Sequence, residues 1–98
     1  MEDQLNAADV QRLMANPIAV IRARTAAKLA GQVAGGGLSE AERALAFDIL
    51  RRMAEDVSVR VREALAEGIC RAPDLPRDLA LKLALDVESV ALPVLELA

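Results

Sequence analysis

Asn16-Pro17-Ile18-Ala19-Val20-Ile21-Arg22 returns as Asp56-Val57-Ser58-Val59-Arg60-Val61-Arg62. Each copy runs on into small or apolar residues at matching offsets: Ala26 with Ala66, Leu29 with Ile69, Ala30 with Cys70. A cap-type residue, a β-branched residue with an Arg directly after it, and then an apolar face of period 3.6 make one helical supersecondary unit. Two copies about 40 residues apart imply helices stacked in an array.

Outward from these two segments, the punctuation predicts six helices. The first lies around Asn6 to Ala15, with Val10, Leu13 and Met14 as its apolar edge. Asn16 is expected to cap the second, with Pro17 at its first position, where a missing N–H costs nothing. Its buried stripe reads Ile18, Ile21, Thr25, Leu29 and Val33, with Ala26 and Ala30 beside it. Gly35-Gly36-Gly37 ends it by supplying backbone that no other residue adopts cheaply. Ser39 and Glu42 form a capping-box pattern that opens a third helix, running to about Glu55. That helix carries two stripes, Leu38, Ala41, Leu45, Ile49 and Met53, then Phe47, Leu50 and Ala54, leaving Glu40, Arg43, Arg51 and Glu55 for solvent. Asp56 is expected to cap the fourth, whose stripe is Val57, Val61, Leu65 and Ile69, and Ala72-Pro73-Asp74-Leu75-Pro76 stops it. A short fifth helix follows from about Pro76 to Leu85, with Asp78, Lys82 and Asp86 as its polar line. Asp86 opens the sixth segment, Val87 to Ala98, in which Pro93 should kink the helix or delay its start.

Composition limits what such an array can do. The 98 residues are enough for one domain, and 54% are hydrophobic, yet Phe47 is the only aromatic, so the core must come from Ala, Leu, Val and Ile. Small side chains let helices approach closely, and this composition argues against a sheet. The net charge of −3, without a polybasic run, argues against nucleic acid, since phosphate neutralisation needs clustered Lys and Arg. Charge is uneven: residues 17–34 carry Arg22, Arg24 and Lys28 with no acid, and residues 86–98 carry Asp86, Glu88 and Glu96 with no base. That asymmetry suggests contacts along the array or with an acidic partner. Lone Cys70 and the absence of His exclude an internal disulfide and a Cys-based metal site, which fits a reducing, cytoplasmic setting. Met1 to Asn6 is acidic and polar, unlike a secretion leader, and no apolar run approaches membrane-spanning length.

Asp or Asn before the second helix of a pair, then Val or Ile, Arg, and Ala and Leu, resembles HEAT repeats, relatives of the armadillo group. The segments Leu38–Arg43, Asp56–Glu67, Leu75–Ala80 and Val90–Leu95 are similar to those of a bacterial HEAT-like family of unknown function. The resemblance implies an all-α, right-handed α-solenoid of three helix pairs, about 5–34, 39–71 and 76–98, within one domain that is either the N-terminal part of a longer protein or a short relative. In such arrays Asp and Arg of adjacent repeats pair in a ladder, which would place Arg22 near Asp56 and Arg62 near Asp86. The ladder would be short, because Asn16 stands where the first Asp would be and Leu92 and Pro93 where the third Arg would be. The family implies no reaction, cofactor or catalytic residue.

The residues themselves offer little chemistry. Ser39 reads as a cap, Thr25 as core with its hydroxyl bonded to its own helix, and Cys70, matching Ala30, as a small buried filler. Glu63 and Glu67 stand one turn apart but are too few to hold a cation. The glycines at 35–37 follow a helix instead of opening one and lack Gly-Lys-Ser/Thr, which excludes a phosphate loop. The expected function is therefore a non-catalytic protein-interaction or scaffold module, using no cofactor or metal and binding an unidentified protein. By resemblance, the second helix of each pair lines the binding face, with Arg24, Lys28, Gln32, Glu63, Glu67 and Arg71 as contacts. The alternatives are a DNA-binding or base-excision HEAT-like protein, which would need a basic, aromatic-bearing groove, and a pigment lyase or chaperone, which the lack of His disfavours. The apolar C-terminal segment, with Val87, Val90, Val94, Leu95 and Leu97, is expected to be buried against a second copy, as a homodimer, or against a continuing chain.

Overall fold

In the computed structural model, residues 7–97 are described, with backbone only at Ala7 and Leu97. Six helices occupy them, α1 (Ala7–Met14), α2 (Ala19–Gly35), α3 (Glu40–Met53), α4 (Val59–Ile69), α5 (Arg77–Ala84) and α6 (Glu88–Leu97), with no strand among the described residues. The expected start of the first helix at Asn6 and the end of the last at Ala98 lie outside the described residues.

Helix α4 is the hub, packing against α2, α3 and α6, while α1 and α3 lie on α2 and α5 lies on α6. The shortest dimension of the molecule, 21 Å, is that of two helix layers at the usual spacing of about 10 Å. The inner layer is close because its residues are small: Ala26, Ala30 and Ala66 are wholly buried, and a Cβ added to Gly68 would lie 2.7 Å from that of Ala30. Between the layers, Leu50, Leu65, Ile69, Leu79 and Leu83 fill the core with the aliphatic bulk that the missing aromatics would otherwise supply.

The α3 start is as its sequence predicts. The Ser39 Oγ accepts from the Glu42 N–H at 3.1 Å, and the Glu42 carboxylate accepts from the Ser39 N–H at 2.8 Å. Gly36 and Gly37 take φ values of 83° and 86°, a region open to glycine and strained for other residues, which is how α2 is turned into α3.

The starts of α2 and α4 differ from expectation. Asn16 Oδ1 accepts from the Ile18 N–H at 2.8 Å and Asp56 Oδ1 from the Ser58 N–H at 2.9 Å, two residues on, so each closes an Asx turn before its helix instead of capping it. The helices begin later, at Ala19 and Val59, and Pro17 lies outside the first turn. The turns swing Ile18 and Val57 out of their stripes into solvent, with Val57 91% exposed. On α3 the buried arc is Ala46, Phe47, Ile49, Leu50, Met53 and Ala54, whereas Ala41 and Leu45 face solvent, because the helix is rotated toward the second of its two candidate stripes. It also ends at Met53 instead of Glu55. Pro93 does not delay α6, which begins at Glu88 and runs through it; the lost N–H costs one intrahelical bond that the burial of Val90, Ala91 and Val94 offsets.

Candidate functional site

The two Asx turns do a second job: each aims its backbone carbonyl at the arginine of the helix it opens, and Asp56 adds its carboxylate to the arginine of the helix before. Arg22, in the first turns of α2, donates from Nε to Asp56 Oδ2 at 2.9 Å and from Nη2 to Asp56 Oδ1 at 3.1 Å, while Nη1 donates to the Asn16 carbonyl at 2.8 Å. Arg62 on α4 repeats the arrangement, with Nε to Asp86 Oδ2 at 2.7 Å, Nη2 to Asp86 Oδ1 at 3.2 Å and Nη1 to the Asp56 carbonyl at 2.7 Å. Both are fork-on-fork bidentate pairs, the geometry in which a guanidinium binds a carboxylate most strongly. Asp56 is the joint: its carboxylate serves Arg22 and its carbonyl serves Arg62, so one polar chain runs from the α1–α2 turn to the start of α6.

The chain is largely shielded, with side-chain exposures of 14% and 15% for Arg22 and Asp56 and 16% and 14% for Arg62 and Asp86. Hydrogen bonds from Arg22, opposed by burial and helped by the Ser58 N–H, hold the Asp56 carboxyl below the usual range. Arg62 does the same for Asp86, with the Val87 N–H adding to it. These groups stay ionised at neutral pH and are locked, so they hold helices in register and are not poised for proton transfer.

Three ion pairs join the outer layer. Arg43 pairs with Asp74 and donates to the Val33 carbonyl at 2.9 Å, Arg51 donates to Asp78 at 2.7 Å and to Asp48 at 3.0 Å, and Lys82 lies 3.0 Å from Glu55. Arg43, Arg51 and Glu55 are thus paired, with Glu55 still exposed as expected and Arg43 largely covered, 5.7 Å from the centre of the Phe47 ring. A concavity of about 450 Å³ opens over Glu55, Asp56, Arg62, Lys82 and Asp86. Every charged group in it already has a partner.

The expected contact residues divide. Arg24, Lys28, Glu67 and Arg71 are exposed, while Gln32 and Glu63 are half-buried. Arg24 and Lys28 share a groove of about 440 Å³ between α1 and α2 with Leu13, Ile21, Thr25 and Ala27. Neither makes an ion pair among the described residues, and nothing pairs them with Glu63 or Glu67 on α4. Cys70 is buried, its thiol 3.4 Å from the Glu67 carbonyl, and Thr25 bonds the Ile21 carbonyl at 2.8 Å. Among the described residues no group of three or more Cys, Asp or Glu is arranged to hold a metal ion, and no helix is long and apolar enough to cross a membrane. Two features escape sequence reading: the backbone acceptors of the Arg chain, and the outer pairs. The outer pairs had a faint signal in two Arg two turns apart on α3 and two Asp one turn apart after Pro73, but helix rotation decides whether they meet.

Compared with protein-family models, with curated proteins and with solved structures, the chain matches none.

Proposed function

We propose that this chain is a non-catalytic protein-interaction module: a short right-handed, HEAT-like array of helix pairs that presents the solvent side of its inner helices to a protein partner. The observation that carries this reading is the repeated Arg–Asx unit. Two arginines spend two nitrogens on the aspartate before the next helix and the third on the turn before their own, which is what a rigid presenting surface requires and a reactive site does not. The exposed strip beside this chain is of mixed charge, with Glu67 and Arg71 on the outside of α4 and Gln32 and Glu63 half-buried, while Arg24 and Lys28 lie exposed in the groove between α1 and α2. Such a strip suits recognition by complementary charge, which governs specificity and association rate more than affinity.

The experiment is affinity capture with the purified chain as bait, beside a Glu63→Lys, Glu67→Lys, Arg71→Glu variant that leaves Arg22 and Arg62 intact. The reading expects a protein recovered in stoichiometric amount by the native chain and at least tenfold less by the variant, with equal thermal stability of the two baits. Equal recovery by both baits would overturn the face assignment. Salt-dependent retardation of DNA by the purified chain would overturn the function.

A further inference from the structure

The groove between α1 and α2 has a counterpart inside the molecule, and that counterpart is occupied. Shifted by one repeat, Ile21, Arg24, Thr25 and Lys28 become Val61, Ala64, Leu65 and Gly68, the side of α4 on which Gly68 meets Ala30 of α2. Ile21 and Ala30 are two and a half turns apart at about 3.6 residues per turn, so the groove lies on the side of α2 turned away from α4. At this open end the position held by Gly68 is Lys28 and that held by Ala64 is Arg24. At the opposite end the register of Asp86 with Asp56 puts Glu96 of α6 where α4 has the buried Ala66 and α2 the buried Ala26.

The two open ends therefore carry charges where the inner junction has small residues, and the charges are of opposite sign. At one end Arg24 and Lys28, which make no ion pair among the described residues, flank the apolar Leu13 and Ile21. At the other Glu88 and Glu96 are exposed beside Leu92 and Leu95, which are 43% and 62% exposed. The two faces are opposite in charge and each carries exposed apolar residues, while like charges oppose the pairing of either face with itself.

We infer that the occupant of the groove is α6 of a second copy of this chain, seated head to tail, with Glu88 and Glu96 facing Arg24 and Lys28 and Leu92 and Leu95 covering Leu13 and Ile21. Such a contact is heterologous: it leaves a free groove at one end and a free α6 at the other, so assembly continues past the dimer. The guanidinium chain does not cross the junction, because Leu92 replaces the third Arg and Asn16 the first Asp. The junction is held by apolar contact and exposed charges, and it weakens with salt. It rests on the same row of inner helices as the proposed function, but uses the ends of that row and not the α4 strip.

Sedimentation velocity over a concentration series tests it, with Arg24→Glu, Lys28→Glu in one variant and Glu88→Lys, Glu96→Lys in another. None of the four residues makes an ion pair among the described residues, and far-UV circular dichroism checks that each variant keeps its helices. The native chain should show a mass rising past the dimer with concentration, falling toward the monomer at about 0.5 M salt. Each variant alone should stay monomeric, because both of its ends have one sign, and an equimolar mixture should assemble again, since each variant then supplies the other's complement. A native chain monomeric throughout would overturn the inference. So would a closed dimer untouched by reversal at Arg24 and Lys28, which would instead be two α6 helices face to face.

Discussion

Helices α2 and α4 begin with the same Asx turn, carry the same arginine and bury the same stripe, yet they sit in different places. Leu65 and Ile69 on α4 are wholly buried, and their counterparts Thr25 and Leu29 nearly so, but Val61 is sealed while Ile21 is half-buried. Gly68 abuts Ala30 where Lys28 reaches into solvent. The unit is one, and its neighbours are not: α4 has an inner helix on both sides and α2 on one. Local sequence makes the turn and the helix, and the number of neighbours sets how deep each position lies and what residue it tolerates.

The largest test of that contrast is truncation of the stripe. Leu65→Ala should lower unfolding stability by about 2 to 5 kcal/mol in urea melts, since the cavity is enclosed on every side. Thr25→Ala, at the equivalent place on α2, should lose less than half as much. Equal losses would mean that α2 and α4 are packed alike after all.

Next comes the close approach. Gly68→Ala puts a methyl group 2.7 Å from the Ala30 Cβ, with no flexible side chain to yield, and should cost about 1 to 3 kcal/mol. Lys28→Ala at the matching position should leave the melting temperature unchanged. Restoration of the Gly68→Ala loss by Ala30→Gly would sharpen the assignment to this single contact.

The inner chain of arginines can then be set against the outer pairs. Arg62→Met removes three charge-assisted hydrogen bonds and leaves Asp86 shielded without its partner, an effect of about 2 kcal/mol, or about 8 to 16 °C in melting temperature for a domain of this size. Arg51→Met, whose side chain is 38% exposed, should shift melting by no more than a degree or two.

The smallest effect lies in the acid limb. Asp56 and Asp86 have folded-state pKa values below their unfolded ones, so their stabilising contribution is complete above the ordinary Asp range and is lost as pH falls below about 4. Asp74 and Asp78 shift the same way through Arg43 and Arg51. The difference in melting temperature between the native chain and an Asp56→Asn variant, which is less stable at neutral pH, should shrink below that point until the two converge in acid.

Much of this was legible. The repeat, the six helices, the Ser39 capping box, the glycine stop and the buried Thr25 and Cys70 follow from residue types at short range, where backbone sterics and hydrogen bonding decide. The pairing of Asp56 and Asp86 with arginine came through resemblance, and the Asx turns of Asn16 and Asp56 read as caps because the same side chain can serve either bond. Burial of Ile18 and Val57 was overestimated because the Asx turns put them ahead of their helices, and that of Ala41 and Leu45 because apolar type alone does not say which way a helix is rotated.

By itself, then, the sequence determined the all-helical class, the repeated unit and where most elements start and stop, since each depends on a few neighbouring residues. Only the tertiary structure decided that Asp56 links two arginines, that α3 and α5 are tied by ion pairs, that Gly68 is small because Ala30 is there, and that a cationic groove lies beside α2 and an acidic, apolar face on α6. Those are relations between residues far apart in the chain, fixed by the rotation and spacing of packed helices, and no local pattern encodes them.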